Sequence, residues 1–188
     1  QALIKLRHIA GDAALGKKVE SHRDSFVYSG APWDLTVALD LRRQQVKQLV
    51  EPGQINLKHS HGGIVTLEYA IQYLQVMHGH RHPSLRTPNT LRALTALIDV
   101  GLIPRATGEN LRKSYLFIRM LIDGLRMVRG NTKDLVIPPP DSDEFIFLAR
   151  RVGYQTEDWQ AGARHLQTDI EEHMKQNRQF FEKMFGKV

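Results

Sequence analysis

The 188-residue sequence contains no cysteine. That excludes disulfides, thiolate metal sites and a cysteine nucleophile, and it suits a reducing cytoplasm. No apolar run approaches the ~20 residues of a membrane-spanning helix, so no membrane is expected as a partner. The N-terminus shows no basic-then-apolar leader pattern. It opens at Gln1 inside what reads as a helix, which predicts an excised piece of a longer protein. There is no P-loop, no dinucleotide fingerprint and no serine–histidine–aspartate arrangement of defensible spacing. Internal repeats and low-complexity tracts are missing as well.

What is present is ordinary in bulk and uneven in charge. This length predicts one domain, or one with a small appendage. An apolar fraction of 41% can bury a core without staples. Lys and Arg outnumber Asp and Glu by 26 to 20, which leaves a net charge of +6. The basic residues are scattered, as Lys17-Lys18, Arg42-Arg43, Arg105, Arg112-Lys113 and Arg150-Arg151. A solvated basic surface accounts for this better than a phosphate-binding patch, and nucleic acid is not an expected partner.

Apolar residues recur at three and four through most of the chain. The pattern predicts an all-α fold, an antiparallel bundle of about six or seven helices joined by short loops. Leu3, Leu6 and Ile9 suggest a helix over 2–10. Gly11 breaks it, and Asp12 caps a second helix running to about Tyr28. Residues 29–32 form a turn. A long helix over 33–50, in which Leu35, Leu39, Arg42-Arg43, Val46 and Leu49-Val50 recur at three and four, stops at Glu51-Pro52-Gly53. Ile55 to Lys58 alternates apolar and polar, as a short strand or an extended linker.

Four later helices are expected. One covers 91–100, capped by Asn89 or Thr87. One is capped by Thr107 and runs to about Val128, with Arg112, Arg119 and Arg126 recurring every seven residues along one side. One starts after Asp141 or Ser142 and ends near Val152, and the last covers 157–185 behind Thr156 as its cap. Residues 131–140 hold three consecutive prolines and read as irregular.

The stretch from Gly63 to about His78 organises the rest. It is apolar on most sides, and such a helix belongs inside a domain. At ~100° per residue, Glu68, Gln72 and Gln75 fall within about 60° of one another. A narrow polar stripe on an otherwise buried helix requires a polar partner. That partner is either another helix's arginine, Arg119 or Arg126, or a ligand in a second domain.

These segments carry a family pattern. Gln1-Ala2-Leu3-Ile4-Lys5-Leu6-Arg7 with Ala10-Gly11-Asp12 resembles the segment that follows the catalytic sheet in glutamine synthetase adenylyltransferases. Leu57-Lys58, then Gly62-Gly63-Ile64-Val65, Leu67-Glu68-Tyr69 and Gln72-Tyr73-Leu74, is similar to that family's central block. Pro83-Ser84-Leu85 with Asn89-Thr90, Leu116-Phe117-Ile118-Arg119 and Ala149-Arg150-Arg151-Val152-Gly153-Tyr154 follow in the same order. The resemblance spans essentially the whole chain, and the Gly-Gly-Ile to Gln-Tyr-Leu block is its most specific part.

The resemblance implies a helical domain associated with a nucleotidyltransferase domain. Residues 1–32 would join the missing upstream domain, and 33–188 would form the bundle. It implies AMP transfer to or from a tyrosine of glutamine synthetase, relayed under control of the PII signal protein and glutamine. ATP and Mg²⁺ would be bound by the missing domain, because the Gly-Ser followed by Asp-x-Asp signature does not occur here. The chain alone should be inactive. One departure stands out: the family's Asp two residues before the Glu is Thr66. Three acids commonly hold two metal ions in such chemistry. An alternative reading is therefore a non-catalytic, protein-binding regulatory module of a diverged signalling protein.

By the same resemblance, Glu68, Lys58, Gly62, Gly63 and Gln72 are candidates for an active-site wall, and Arg7 and Lys5 for nucleotide-phosphate contacts. Gly62-Gly63 could let a backbone approach a ligand at a helix N-terminus, or simply turn the chain into the helix. His59, His61, His78, His80 and His82 lack accompanying acids at a known ligand spacing, and no metal site is expected.

Overall fold

The computed structural model describes residues 2–31, 33–131 and 134–186. The expected helical start at Gln1, the Pro32 end of the first turn and Thr132-Lys133 of the proline-containing stretch lie outside the described residues. Seven α-helices build an all-α helical bundle: α1 (Ala13–Val27), α2 (Leu35–Leu49), α3 (Ile64–His78), α4 (Thr90–Asp99), α5 (Arg105–Arg129), α6 (Asp143–Arg151) and α7 (Trp159–Phe185). Two 3-10 turns, Ala2–Lys5 and Pro83–Leu85, are the other helical segments among the described residues.

Helix starts follow side-chain chemistry. Asp12, Asn89 and Ser142 each accept a backbone N–H of the first turn of α1, α4 and α6. Two expected caps are displaced. α5 begins at Arg105, directly behind Pro104, whose carbonyl takes the Gly108 N–H at 2.9 Å, so Thr107 lies inside the first turn. α7 is capped by Asp158, which accepts from Gln160 N at 2.9 Å, while Thr156 spends its hydroxyl on the Asp158 carbonyl.

The chain divides into two compact units, Gln1–Leu35 with Glu68–Arg112, and Thr36–Leu67 with Lys113–Val188. In the first, Ile4, Ile71, Leu85, Leu94 and Leu97 are buried. The expected helix over 2–10 is not formed beyond Lys5. Ile4 is the residue that enters the core, whereas Leu3 and Ile9 are exposed. α1 also satisfies this backbone from outside: Arg23 donates to the Leu6 carbonyl, and Glu20 accepts the His8 N–H at 2.8 Å. With those groups paired, the segment gains little from helical bonds.

In the second unit, Ile118, Leu121, Leu125, Phe145, Leu148 and Leu166 are buried, and α6 packs on α7. Along α2, Ala38 and Arg42 are buried and Leu49 is exposed. The alternating segment at 55–58 is neither a full strand nor a free linker. It forms one antiparallel bridge, Asn56 with Val136, with Leu57 N to Leu135 O at 2.9 Å and Ile137 N to Ile55 O at 2.7 Å.

Candidate functional site

The turn that delivers the chain into α3 is wired to itself. Asn56 Oδ1 accepts the N–H groups of Lys58 at 2.9 Å and His59 at 3.0 Å, and Ser60 Oγ accepts Asn56 N at 2.8 Å. The first amides of α3 are consumed locally, Ile64 by the Leu57 carbonyl and Thr66 by the Gly63 carbonyl, both at 3.0 Å. Because these donors are paired, the N-terminus of α3 is closed as an anion site.

Arg42 holds the turn from α2. Its guanidinium is 1% exposed and donates to His59 O at 2.8 Å, Ser60 O at 3.2 Å and Thr66 Oγ1 at 3.0 Å. Thr66 Oγ1 also accepts Gly62 N at 3.1 Å and donates to Ser60 O at 3.3 Å. The departure at Thr66 therefore sits in an internal network. A carboxylate at this position would meet the buried Arg42 guanidinium.

The two glycines of the turn are buried, and the backbones close to them are the protein's own. Gly62 has φ +88°, and a Cβ there would lie 2.1 Å from the Met174 carbonyl oxygen of α7. Asn177 Nδ2 completes the junction by donating to the Gly62 carbonyl at 3.0 Å. A Cβ on Gly63 would lie 2.7 Å from Leu57 O. Lys58 is exposed on this turn. Burial, then the charges of Lys58 and Arg42, push the His59 imidazole down to about 4, and its buried Nδ1 has no hydrogen-bond partner.

The polar stripe of α3 lies in the other unit and is arranged differently. Lys5 Nζ donates to Thr90 Oγ1 at 2.6 Å and stands 3.5 Å from Glu68 Oε1. Thr90 in turn donates to Glu68 Oε1 at 3.3 Å. Thr90 is buried as the first residue of α4, Glu68 is half-buried and Lys5 is exposed. The result is a short relay from solvent to a carboxylate.

Further along the stripe, Gln75 donates to Leu85 O at 2.6 Å and Thr87 O at 2.8 Å and so ties down the 3-10 turn. Gln72 is buried, and its Oε1 has no hydrogen-bond partner. An unpaired acceptor of this kind costs about 1–3 kcal/mol.

Of the sequence-derived candidates, Lys5, Glu68 and Gln72 fall in one unit. Lys58, Gly62 and Gly63 share the turn in the other, and Arg7 is exposed outside both networks. The two arginines expected beside Glu68 are engaged elsewhere or exposed: Arg126 pairs with Asp123 at 3.3 Å, and Arg119 faces solvent. Thr90 was missed as a site residue, although Asn89-Thr90 belongs to the recognised pattern and its hydroxyl follows directly from the Asn89 cap. Among the described residues, no group of three or more His, Cys, Asp or Glu could hold a metal ion. No helix among them is long and apolar enough to cross a membrane.

Comparison with known proteins supplies the context for these networks. The family model described as GlnD PII-uridylyltransferase matches residues 37–185. The bifunctional glutamine synthetase adenylyltransferase/adenylyl-removing enzyme of Mycobacterium tuberculosis (strain ATCC 25618 / H37Rv) is 35% identical over 154 residues, covering 80% of this chain and 15% of the relative. The enzyme of the same name from Corynebacterium efficiens is 32% identical over 181 residues, 95% of this chain and 17% of the relative. That of Mycobacterium leprae is 34% identical over 173 residues, 90% of this chain and 16% of the relative. The chain thus spans 15–17% of the length of these relatives.

Proposed function

The chain belongs to the family of bifunctional glutamine synthetase adenylyltransferase/adenylyl-removing enzymes and forms a helical domain of such an enzyme, and from that premise we propose that its Lys5–Glu68–Thr90 relay lines the site where AMP is transferred to or removed from a glutamine synthetase tyrosine. The observation that carries this reading is the half-buried Glu68 carboxylate beside the exposed Lys5 ammonium. It is held by a lysine and a hydroxyl, with the orphaned Gln72 acceptor one helical turn away on the same helix.

In this reading an upstream nucleotidyltransferase domain binds ATP and Mg²⁺ and performs the chemistry. This chain contributes positions, not metal ligands. Glu68 orients Lys5, whose ammonium is placed to meet an anionic group on the facing domain. Control by the PII signal protein and by glutamine reaches the transfer site through this bundle. The exposed Lys58 and Arg7 are further contacts to the facing domain, and Gly62-Gly63 set the direction in which α3 leaves its turn.

The test is made in the full-length parent enzyme. Glu68→Gln should lower the rate of AMP transfer to glutamine synthetase at least about tenfold, since it removes a charge-assisted contact near the transfer site, while thermal unfolding stays unchanged. A folded Glu68→Gln enzyme with undiminished transfer and removal rates would overturn the reading. The isolated chain, incubated with ATP, Mg²⁺ and glutamine synthetase, should transfer no label.

A further inference from the structure

α5 turns towards solvent a face that is apolar in part. Leu116, Met120 and Met127 are 46%, 40% and 63% exposed. With Asp123 between the two methionines, the positions 116, 120, 123 and 127 advance by four, three and four, which is the seam of a coiled-coil heptad. Lys113 occupies the preceding seam position. The opposite side of the helix is spent on the core, through Ile118, Leu121, Ile122 and Leu125.

The seam has a charged edge of one sign. Arg119 and Arg126 each stand immediately before a seam methionine, on the flank that a coiled coil uses for interhelical ion pairs. Arg119 is exposed, and Arg126 keeps a buried Nε without a hydrogen-bond partner although it reaches Asp123 at 3.3 Å. At the far end, Arg151 of α6 donates to Met127 Sδ at 3.0 Å. Phe147, one turn before Arg151 on the same face of α6, is 56% exposed. α6 comes this near because position 124 is glycine: a Cβ there would lie 2.8 Å from the Val152 side chain and 3.2 Å from Leu148.

An exposed apolar strip at heptad spacing is the surface of a helix prepared to pair. The charge pattern selects the partner. A second copy would set arginine against arginine, on chains that each carry a net charge of +6. We propose that the Leu116–Met120–Met127 seam docks an amphipathic helix of a partner protein, apolar at its own seam and lined with Asp or Glu where it meets Arg119, Arg126 and Arg151.

The probe is a synthetic helix of about three heptads, with leucine at the seam and glutamate on its flanks, compared with the same helix carrying lysine on its flanks. Binding to the whole chain is read by fluorescence anisotropy. The glutamate helix should bind and weaken with added salt. The lysine helix should bind at least about tenfold more weakly, because like charges face each other across the contact. Met120→Glu should abolish binding. Arg119→Glu combined with Arg151→Glu should reverse the preference between the two helices, with unchanged melting curves for both variants. The proposal is overturned if neither helix binds, if the two bind alike, or if anionic vesicles bind while the glutamate helix does not. It is also overturned if sedimentation shows a dimer of the chain that Met120→Glu dissolves, since a second copy would then be the occupant.

Discussion

Thr66 and Glu68 stand two residues apart on α3, and their surroundings differ in kind. The hydroxyl of Thr66 is closed on all sides, by Arg42, by the Gly62 amide and by the Ser60 carbonyl. An exposed lysine and a threonine are among the groups that reach the Glu68 carboxylate, and one turn on, Gln72 Oε1 has no hydrogen-bond partner among the described residues. The first network builds the turn, and the second runs from a half-buried carboxylate to an exposed lysine. Sequence proximity within one recognised block therefore does not mean a shared role.

The comparison can be broken most forcefully at the turn. Gly62→Ala forces a side chain into a left-handed conformation and against the Met174 carbonyl, and should cost about 4 kcal/mol in urea unfolding. A loss below ~1 kcal/mol would mean that α7 does not sit on this turn as described. Arg42→Ala takes the guanidinium away from the His59 and Ser60 carbonyls and the Thr66 hydroxyl and should cost about 2–4 kcal/mol. Thr66→Val preserves the shape and removes only the hydroxyl, so about 1–2 kcal/mol is expected by the same measurement.

Smaller effects sharpen the contrast. The fold holds His59 neutral, with its pKa pushed down to about 4 from an ordinary 6.5. Its contribution to stability is thus full above pH 6.5 and is lost progressively as pH falls through 4. His59→Gln should flatten the stability profile between pH 6.5 and 5, and an unchanged slope would deny the effect. At the open network, Glu68→Gln should shift stability by less than about 0.5 kcal/mol, as befits a partly exposed pair, while lowering AMP transfer in the full-length parent. A large loss of stability would place Glu68 with Thr66 among the structural residues.

Much of this was legible from the sequence. The helices follow their apolar spacing, and Asp12, Asn89 and Ser142 cap where short polar residues precede such runs. The 2–10 segment was misread because its i, i+3 apolar residues are surface residues, and its backbone is satisfied by Arg23 and Glu20 from a distance in sequence. Arg42 was hidden by its neighbour. In an Arg42-Arg43 pair both read as solvated, yet Arg43 reaches an exposed Asp40 while Arg42 is buried under three carbonyl and hydroxyl acceptors. Local pattern cannot show acceptors that arrive from residues 59–66. The polar stripe of α3 was legible as a demand for partners, but Lys5 and Thr90 come from segments 63 and 22 residues away.

The junction between Gly62 and α7 bears on the order in which the chain can be made. Asn177 donates to a carbonyl 115 residues earlier in sequence. During synthesis the turn at 56–63 exists long before the helix that covers it, and until residue 177 has emerged its Gly62 carbonyl stays bare to water. Residues proceed from the ribosome at roughly 5–20 per second, so this part of the fold spends several seconds with its lid unmade. Asn177 thus acts as a late stitch, and a nascent chain ending before it lacks the donor for the Gly62 carbonyl.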